Sequence, residues 1–497
     1  MNSPPPLSDA PLHPVSWRTA GLVGAAALLF FGLSAGSTAF WGDSASFASH
    51  LDTAPKPFAR SYWLYKALGK IFVALGMTPA QAASSASVFF GAASVGLLHA
   101  LCQRLTGRLA AAGLAAASLA VAQTFWLHSS VAEVYTLLTL FEIGLIFLAL
   151  GASGHRPEAL GLGALAGLAL NHHRLLLFSL PVIAVYLWQT LPRGRRAKGL
   201  LPVGVGLGLG STPWLALCLL FPPSSLSPPP DVTAESLWLQ KVLLGGRWSG
   251  SQLGSWTPAG AASSLVYLCK LLALNFPSPA AVLAALGCAQ VGRTSGPRRT
   301  LLGGLFVVFI IAGSLFPWTG DQYAFFSPVL PLVALAAGVG LARRNLRSRK
   351  SLAPVLIAGC LVMPPLLYAA LSFGPSADDS ATQRSLLERQ EFLWPPKATY
   401  RVPQEWAQAR LEAMPRKATL VSQWAEGTVF QYLQSEGIRS DVKLVLHRSG
   451  PLDLSSVKAP VFITWKPTRD GPPAAFVEQG LELEGEALGL RRLKLPQ

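Results

Sequence analysis

Residues 17–43 read WRTAGLVGAAALLFFGLSAGSTAFWGD. The run opens with about 20 mostly apolar residues, the length that an α-helix needs to cross the hydrocarbon core of a bilayer. It closes with Gly42 and Asp43, so a carboxylate is predicted where the helix meets water. A carboxylate at that depth keeps its charge at little cost and is available for chemistry beside the lipid.

The composition of the whole chain extends this prediction. The chain has 497 residues, of which 51% are hydrophobic and 13% charged, and its mean hydropathy is +0.42. Because a soluble domain carries about 25% charged residues, we expect an α-helical polytopic membrane protein. The net charge of +16 is gathered in short loops between apolar runs, which indicates membrane topology and no nucleic-acid partner. The five cysteines lie in apolar stretches without the spacing of a metal site.

Apolar windows predict a multipass membrane domain over 18–373, after a disordered cytoplasmic N-terminus over 1–17. The first and second long outer loops are predicted at 41–81 and 222–262, and the amphipathic stretch 60–77 is predicted to lie in the membrane interface. We expect about 11 transmembrane helices, at 18–40, 82–102, 109–127, 132–152, 159–171, 174–191, 199–221, 263–290, 301–317, 323–342 and 352–373.

The distribution of Lys and Arg predicts the orientation. With the N-terminus in the cytoplasm, the cytoplasmic connections hold sixteen of these residues and the longer outer segments hold seven. This bias favours a cytoplasmic N-terminus and an extracytoplasmic C-terminus. Residues 374–497 have an ordinary soluble composition and predict a small extracytoplasmic α/β domain. Its strands are expected near 419–421, 442–446 and 461–464, and its helices near 403–413 and 425–435.

Four polar clusters fall on the predicted outer face, at 42–44, 126–135, 171–174 and 318–323. Ionisable groups at membrane depth are costly and usually functional. Two carboxylates and a cation suit transfer of a group from a phosphate leaving group. One carboxylate can take the proton of the acceptor, and the cation can stabilise the departing phosphate.

The acidic candidates are Asp43, Glu133 and Asp321. Asp43 has two interpretations, a catalytic base or a helix-end residue satisfied by water and backbone N–H groups. Glu133 is either a site residue or a first-turn acid that the helix dipole favours.

The basic candidates are His172, His173 and Arg174, which follow Asn171 between two predicted spans. Adjacent residues on a helix point about 100° apart, so a polar wall or a phosphate contact is favoured over a shared metal ion. Arg174 can pair with a phosphate or anchor the chain at the interface. The sequence leaves a divalent metal open and predicts no cofactor.

Several motifs of the chain occur together in one known family. They are Gly42-Asp43-Ser44, Leu64-Tyr65 with Leu68-Gly69-Lys70, Ala132-Glu133-Val134-Tyr135, Asn171-His172-His173, Asp321-Gln322-Tyr323 and Trp394-Pro395-Pro396-Lys397. They resemble a bacterial multipass family of unknown function that is related to the eukaryotic transmembrane O-mannosyltransferases. The resemblance implies a GT-C type glycosyltransferase with a polyprenyl- or dolichyl-phosphate sugar donor and with Asp43 as the general base.

The chain departs from that family in the first outer loop. Relatives carry a second acid where this chain has Ser46, and the element expected to hold donor or acceptor is altered between Lys56 and Tyr62. Lys56 and Tyr62 are counted among the candidate binding residues of this loop, and a solvated loop position is the alternative for Lys56.

These observations predict a hexosyltransferase of the cell envelope, mannosyltransferase-like, whose partners are a lipid-linked sugar, membrane lipids and a protein or glycan acceptor. The alternatives are a non-catalytic envelope-assembly protein and a transporter or flippase. The chain lacks the internal repeat that is typical of many transporters.

Overall fold

The computed structural model describes residues 12–51, 62–152, 156–220, 233, 257–294, 296–315, 322–343, 352–373, 389–447, 460–464, 483–487 and 490–493. Up to residue 373 the described chain is helical. Its helices are α1 (Trp17–Ser34), α2 (Asp43–Leu51), α3 (Trp63–Ala74), α4 (Pro79–Thr106), α5 (Leu109–Ala120), α6 (Gln123–Ser130), α7 (Tyr135–Ala152), α8 (Arg156–His172), α9 (Ser179–Thr190), α10 (Arg196–Leu220), α11 (Pro258–Asn275), α12 (Pro279–Arg293), α13 (Pro297–Ser314), α14 (Gln322–Phe325), α15 (Val329–Arg343) and α16 (Leu352–Phe373).

Many of these helices can cross a bilayer. Among the described residues, six helices are long and apolar enough to span, or seven when α5 and α6, which are bent by 65° at their junction, count as one span. Each of the eleven predicted windows holds helix, but several of the helices are shorter than a full span. In the first outer loop, α2 and α3 are short helices, and α3 lies within the stretch predicted to be interfacial.

Two predicted spans differ from the structure for local reasons. The span predicted at 18–40 ends at Ser34, because the chain leaves the helix at Ala35, whose backbone is extended. The single span predicted at 263–290 is wrong, because it consists of α11 and α12. Pro277 lies in the break between them, and Pro279 is the first residue of the second helix. Proline has no backbone N–H to donate, so it interrupts a helix interior but is tolerated in a first turn.

Helices α8 and α10 approach closely through glycine. Gly163 and Gly167 on α8 face Gly206 and Gly210 on α10, four residues apart in each helix. A Cβ atom at Gly210 would lie 2.0 Å from the carbonyl oxygen of Ala164. The spacing is the small-residue pattern that lets membrane helices pack backbone to backbone.

The C-terminal region is an α/β unit. It contains α17 (Val402–Ala413), β1 (Thr419–Gln423), α18 (Trp424–Ser435), β2 (Lys443–His447), β3 (Val461–Thr464), β4 (Leu483–Ala487) and β5 (Leu490–Leu493). The sheet has the order β2-β1-β3-β5-β4, with β1 parallel to β2 and β3, and β5 antiparallel to β3 and β4. The three predicted strands and both predicted helices are present. Strands β4 and β5 lacked a sequence signal, because they are short and carry charges instead of β-branched residues.

The α/β unit packs on the first outer loop. Trp41 contacts Trp406 of α17 with ring centroids 5.3 Å apart, and the two share a buried apolar cluster with Ala45 and Phe430. The backbone N–H of Gly42 donates to the carbonyl of Ala425 over 2.9 Å. The turn before α2 is therefore fixed by the C-terminal unit.

Candidate functional site

Asp43 opens α2 and does not close α1. The expectation that it stands at the end of the first span is thus corrected, because the chain turns at Gly42, whose φ is +64°. Asp43 is half-buried at the start of α2, where free backbone N–H groups favour a carboxylate. Phe47 lies one turn further on the same face, and its ring contacts Tyr62 and Tyr65 at centroid distances of 5.8 and 5.3 Å.

Glu133 is held by its backbone in the turn between α6 and α7. Its N–H donates to the hydroxyl of Ser87 over 2.8 Å, and the same hydroxyl lies 2.9 Å from the Glu133 carbonyl oxygen. The phenol of Tyr65 lies 2.8 Å from Ser87 and donates to the carbonyl of Ala83 over 2.7 Å. Burial, and secondarily the Glu133 charge, raise the pKa of Tyr65. The acid therefore lies beside a buried neutral phenol.

Tyr62 brings the first outer loop against the two predicted histidines. Its ring centroid lies 5.5 Å from that of His172 and 5.9 Å from that of His173. Tyr62 has φ +76°, in the left-handed region that bulky residues seldom occupy. Such backbone costs on the order of 1–3 kcal/mol and persists where its surroundings over-determine it, often at functional sites.

The aromatic contacts continue across the helices. Tyr135 lies 5.6 Å from His173 and 4.9 Å from His128, and His128 stacks on Tyr323 at 5.5 Å, all between ring centroids. We call this set the histidine–tyrosine row. It consists of Tyr62, His128, Tyr135, His172, His173 and Tyr323, carried by five different helices or helix ends.

Two imidazoles of the row hold unused hydrogen-bonding atoms. His172 lies 3.0 Å through Nε2 from the carbonyl of Val134, so Nε2 carries the proton and Nδ1 of the neutral ring is an acceptor. Both Nδ1 of His172 and Nε2 of His128 are buried and have no hydrogen-bond partner among the described residues. Buried polar atoms are nearly always paired, so both are available to a ligand.

Asn171 and Arg174 face helix backbone. The Asn171 amide donates to the carbonyl of Gly167 over 2.6 Å, and the Arg174 guanidinium donates to the carbonyl of Leu170. Their predicted binding roles remain predictions. Lys56 and Asp321 lie outside the described residues. Among the residues that are described, no group of three or more His, Cys, Asp or Glu could hold a metal ion.

The structure adds residues that the sequence analysis did not count among the site candidates, although Tyr65, Tyr135 and Tyr323 belong to the motifs that carry the resemblance. Ser87, Tyr65, His128, Tyr135 and Tyr323 surround the predicted candidates. The sequence did offer one signal for three of them. His128, Tyr135 and Tyr323 lie in the two polar clusters that also contain Glu133 and Asp321. Their contacts join residues distant in sequence and leave no local pattern.

The bundle of apolar helices defines an integral membrane protein with a helical first loop and a docked α/β unit. The chain is similar to ArnT from Cupriavidus metallidurans bound to undecaprenyl phosphate, with a TM-score of 0.61 and 12% identity, over 96% of this chain and 98% of that one. It is also similar to ArnT from the same organism in the apo state, with a TM-score of 0.55, 14% identity and the same coverage.

At these identities the likeness shows the fold alone. No protein-family model matches the chain, and no curated protein is a significant match. The relation to the bacterial multipass family and to the O-mannosyltransferases therefore stays a prediction.

Proposed function

We propose that this protein is a membrane glycosyltransferase that transfers a sugar from a polyprenyl-phosphate donor to an extracytoplasmic protein, glycan or lipid acceptor. The observation that carries the proposal is the likeness over nearly the full length of both chains to a structure that contains undecaprenyl phosphate. A polar site between membrane helices and a covering loop suits a donor whose tail stays in lipid and whose sugar reaches water.

Within this proposal Asp43 is the general base. Its half-buried carboxylate can accept the proton of an acceptor hydroxyl as the sugar leaves the phosphate. Glu133, whose backbone is fixed by Ser87, is the second acid of the site. It takes the role of the acid that relatives carry at the position of Ser46. In the histidine–tyrosine row, Nε2 of His128 can donate an N–H to a phosphate oxygen, and Nδ1 of His172 can accept a hydrogen bond from a sugar hydroxyl. The ring faces can pack against the sugar or the isoprenoid chain.

The proposed orientation follows from charge, because the Lys and Arg bias favours a cytoplasmic N-terminus and an extracytoplasmic α/β unit. The resemblance to a bacterial multipass family implies a bacterial inner membrane. A hexose is the expected sugar class, and Lys56, Asn171, Arg174 and Asp321 remain candidate contacts.

The test uses purified full-length protein in detergent and a panel of polyprenyl-phosphate sugars. Release of free polyprenyl phosphate with at least one donor, dependent on protein concentration, is the expected result. Silence with every donor, in protein that also fails to bind undecaprenyl phosphate, would favour a non-catalytic envelope protein or a transporter.

A further inference from the structure

Residues 389–401, between α16 and α17, form a strap across the membrane helices. The backbone N–H of Lys397 donates to the carbonyl of Ser34 at the end of α1 over 2.7 Å. The side-chain amide of Gln123 on α6 donates to the carbonyl of Phe392. The Trp394 ring lies 5.3 Å from Phe373 between centroids. The strap is thus tied to three membrane helices.

Lys397 is the buried centre of the strap. The residue is 1% exposed, and its ammonium donates to the carbonyls of Gln390, over 2.9 Å, and Trp394. Its Nζ atom also lies 5.8 Å from the ring centroid of Phe40 and 5.2 Å from that of Tyr400, so two aromatic rings cover the amine. The Lys397 amine therefore closes a turn that begins at Gln390 and includes Trp394.

The closed turn touches the histidine–tyrosine row. Phe392 lies within the turn, and its ring meets Tyr323 edge to face, with centroids 5.0 Å apart and planes at 76°. Tyr323 in turn stacks on His128, whose Nε2 is one of the two unused nitrogen atoms. A continuous set of contacts thus joins the Lys397 ammonium to the row.

We propose that Lys397 is a positioning residue, which holds Phe392 against Tyr323 and so fixes His128 for contact with the phosphate of the lipid-linked substrate. The inference rests on the proposed function, because it needs the row to bind that phosphate. It assigns to the strap a role in ligand binding in addition to linking the membrane helices to the α/β unit.

The test measures the affinity of the purified full-length protein for undecaprenyl phosphate, together with its thermal unfolding. Lys397→Met keeps the length of the side chain and removes its donors, whereas Phe392→Leu removes the ring and leaves the lysine in place. We expect each change to lower the affinity for undecaprenyl phosphate about five- to tenfold. The affinity of the double variant should be no lower than that of the single variant with the lower affinity. Lys443→Met, an exposed lysine of β2, is the matched control and leaves the affinity unchanged.

The outcomes separate this inference from the proposed function. Failure of the wild-type protein to bind would overturn the proposed function, and this inference with it. If the wild type binds, an unchanged affinity of Lys397→Met with a lowered unfolding temperature would assign the lysine to folding only. If Lys397→Met does not fold, Phe392→Leu decides, and wild-type affinity in that variant overturns the proposal. Additive losses in the double variant would also contradict it, because they show independent sites.

Discussion

The hydroxyl of Ser87 holds the backbone of Glu133. The same hydroxyl bridges the N–H and the carbonyl of Glu133 and also meets the phenol of Tyr65. The sequence identified the acid, because ionisable residues at a predicted membrane edge are few. It could not identify the serine, because the contact joins positions far apart in the chain and serine is common in membrane helices.

Replacement of Ser87 by alanine tests this arrangement. The change leaves the part-buried backbone N–H of Glu133 without its acceptor, which costs up to about 3 kcal/mol. We expect a lower unfolding temperature and, under the proposed function, slower turnover because the Glu133 turn loosens. Ser85→Ala, on the same helix and more exposed, is the control. Equal turnover of both variants would show that Ser87 does not position the acid.

At the scale of elements, hydropathy predicted where helices occur better than how they end or pack. The runs near α4, α7 and α16 matched closely, because long apolar windows admit few alternatives. The prediction failed at α11 and α12, where it gave too little weight to Pro277 and Pro279. The Gly-x-x-x-Gly pairs of α8 and α10 stood in the sequence, but only the structure shows that they face each other.

The α8–α10 contact predicts opposite results for two glycines of one helix. Gly210→Ala would place a Cβ 2.0 Å from the Ala164 carbonyl oxygen, whereas a Cβ at Gly208 meets nothing within 4 Å. We expect Gly210→Ala to destabilise the protein by about 1–3 kcal/mol, as overpacked cores do. Gly208→Ala should be neutral or slightly stabilising in the helix. Thermal unfolding in one detergent measures both, and equal stabilities would contradict the close packing.

The strap predicts a dependence of stability on pH. Burial, partly offset by the charge of Glu391, lowers the pKa of Lys397 from 10.5 to about 7. Between these values the unfolded chain binds a proton that the folded protein does not, so stability rises with pH from about 7 upward. Unfolding temperatures across that range should rise in the wild type and rise less in Lys397→Met. Parallel profiles for the two proteins would show that the lysine does not titrate in this window.

At the scale of the whole molecule, the fold persists where sequence identity is nearly lost. The chain shares 12% of its residues with ArnT and covers 98% of it. Composition and hydropathy predicted the membrane class, because the bilayer imposes span length and apolarity on any sequence. The row was not predictable, because its rings come from α3, α6, α7, α8 and α14, and only the tertiary fold assembles them.

The most direct measurement is the release of undecaprenyl phosphate from the best lipid-linked sugar donor, compared between the wild type and Asp43→Asn. The asparagine keeps the shape of the side chain and removes the base. We expect turnover to fall about 10²- to 10⁴-fold with unchanged lipid binding. Glu412→Gln, an exposed acid of α17, should retain full activity as the control. Wild-type turnover in Asp43→Asn would contradict the account, because the proposed transfer depends on that carboxylate.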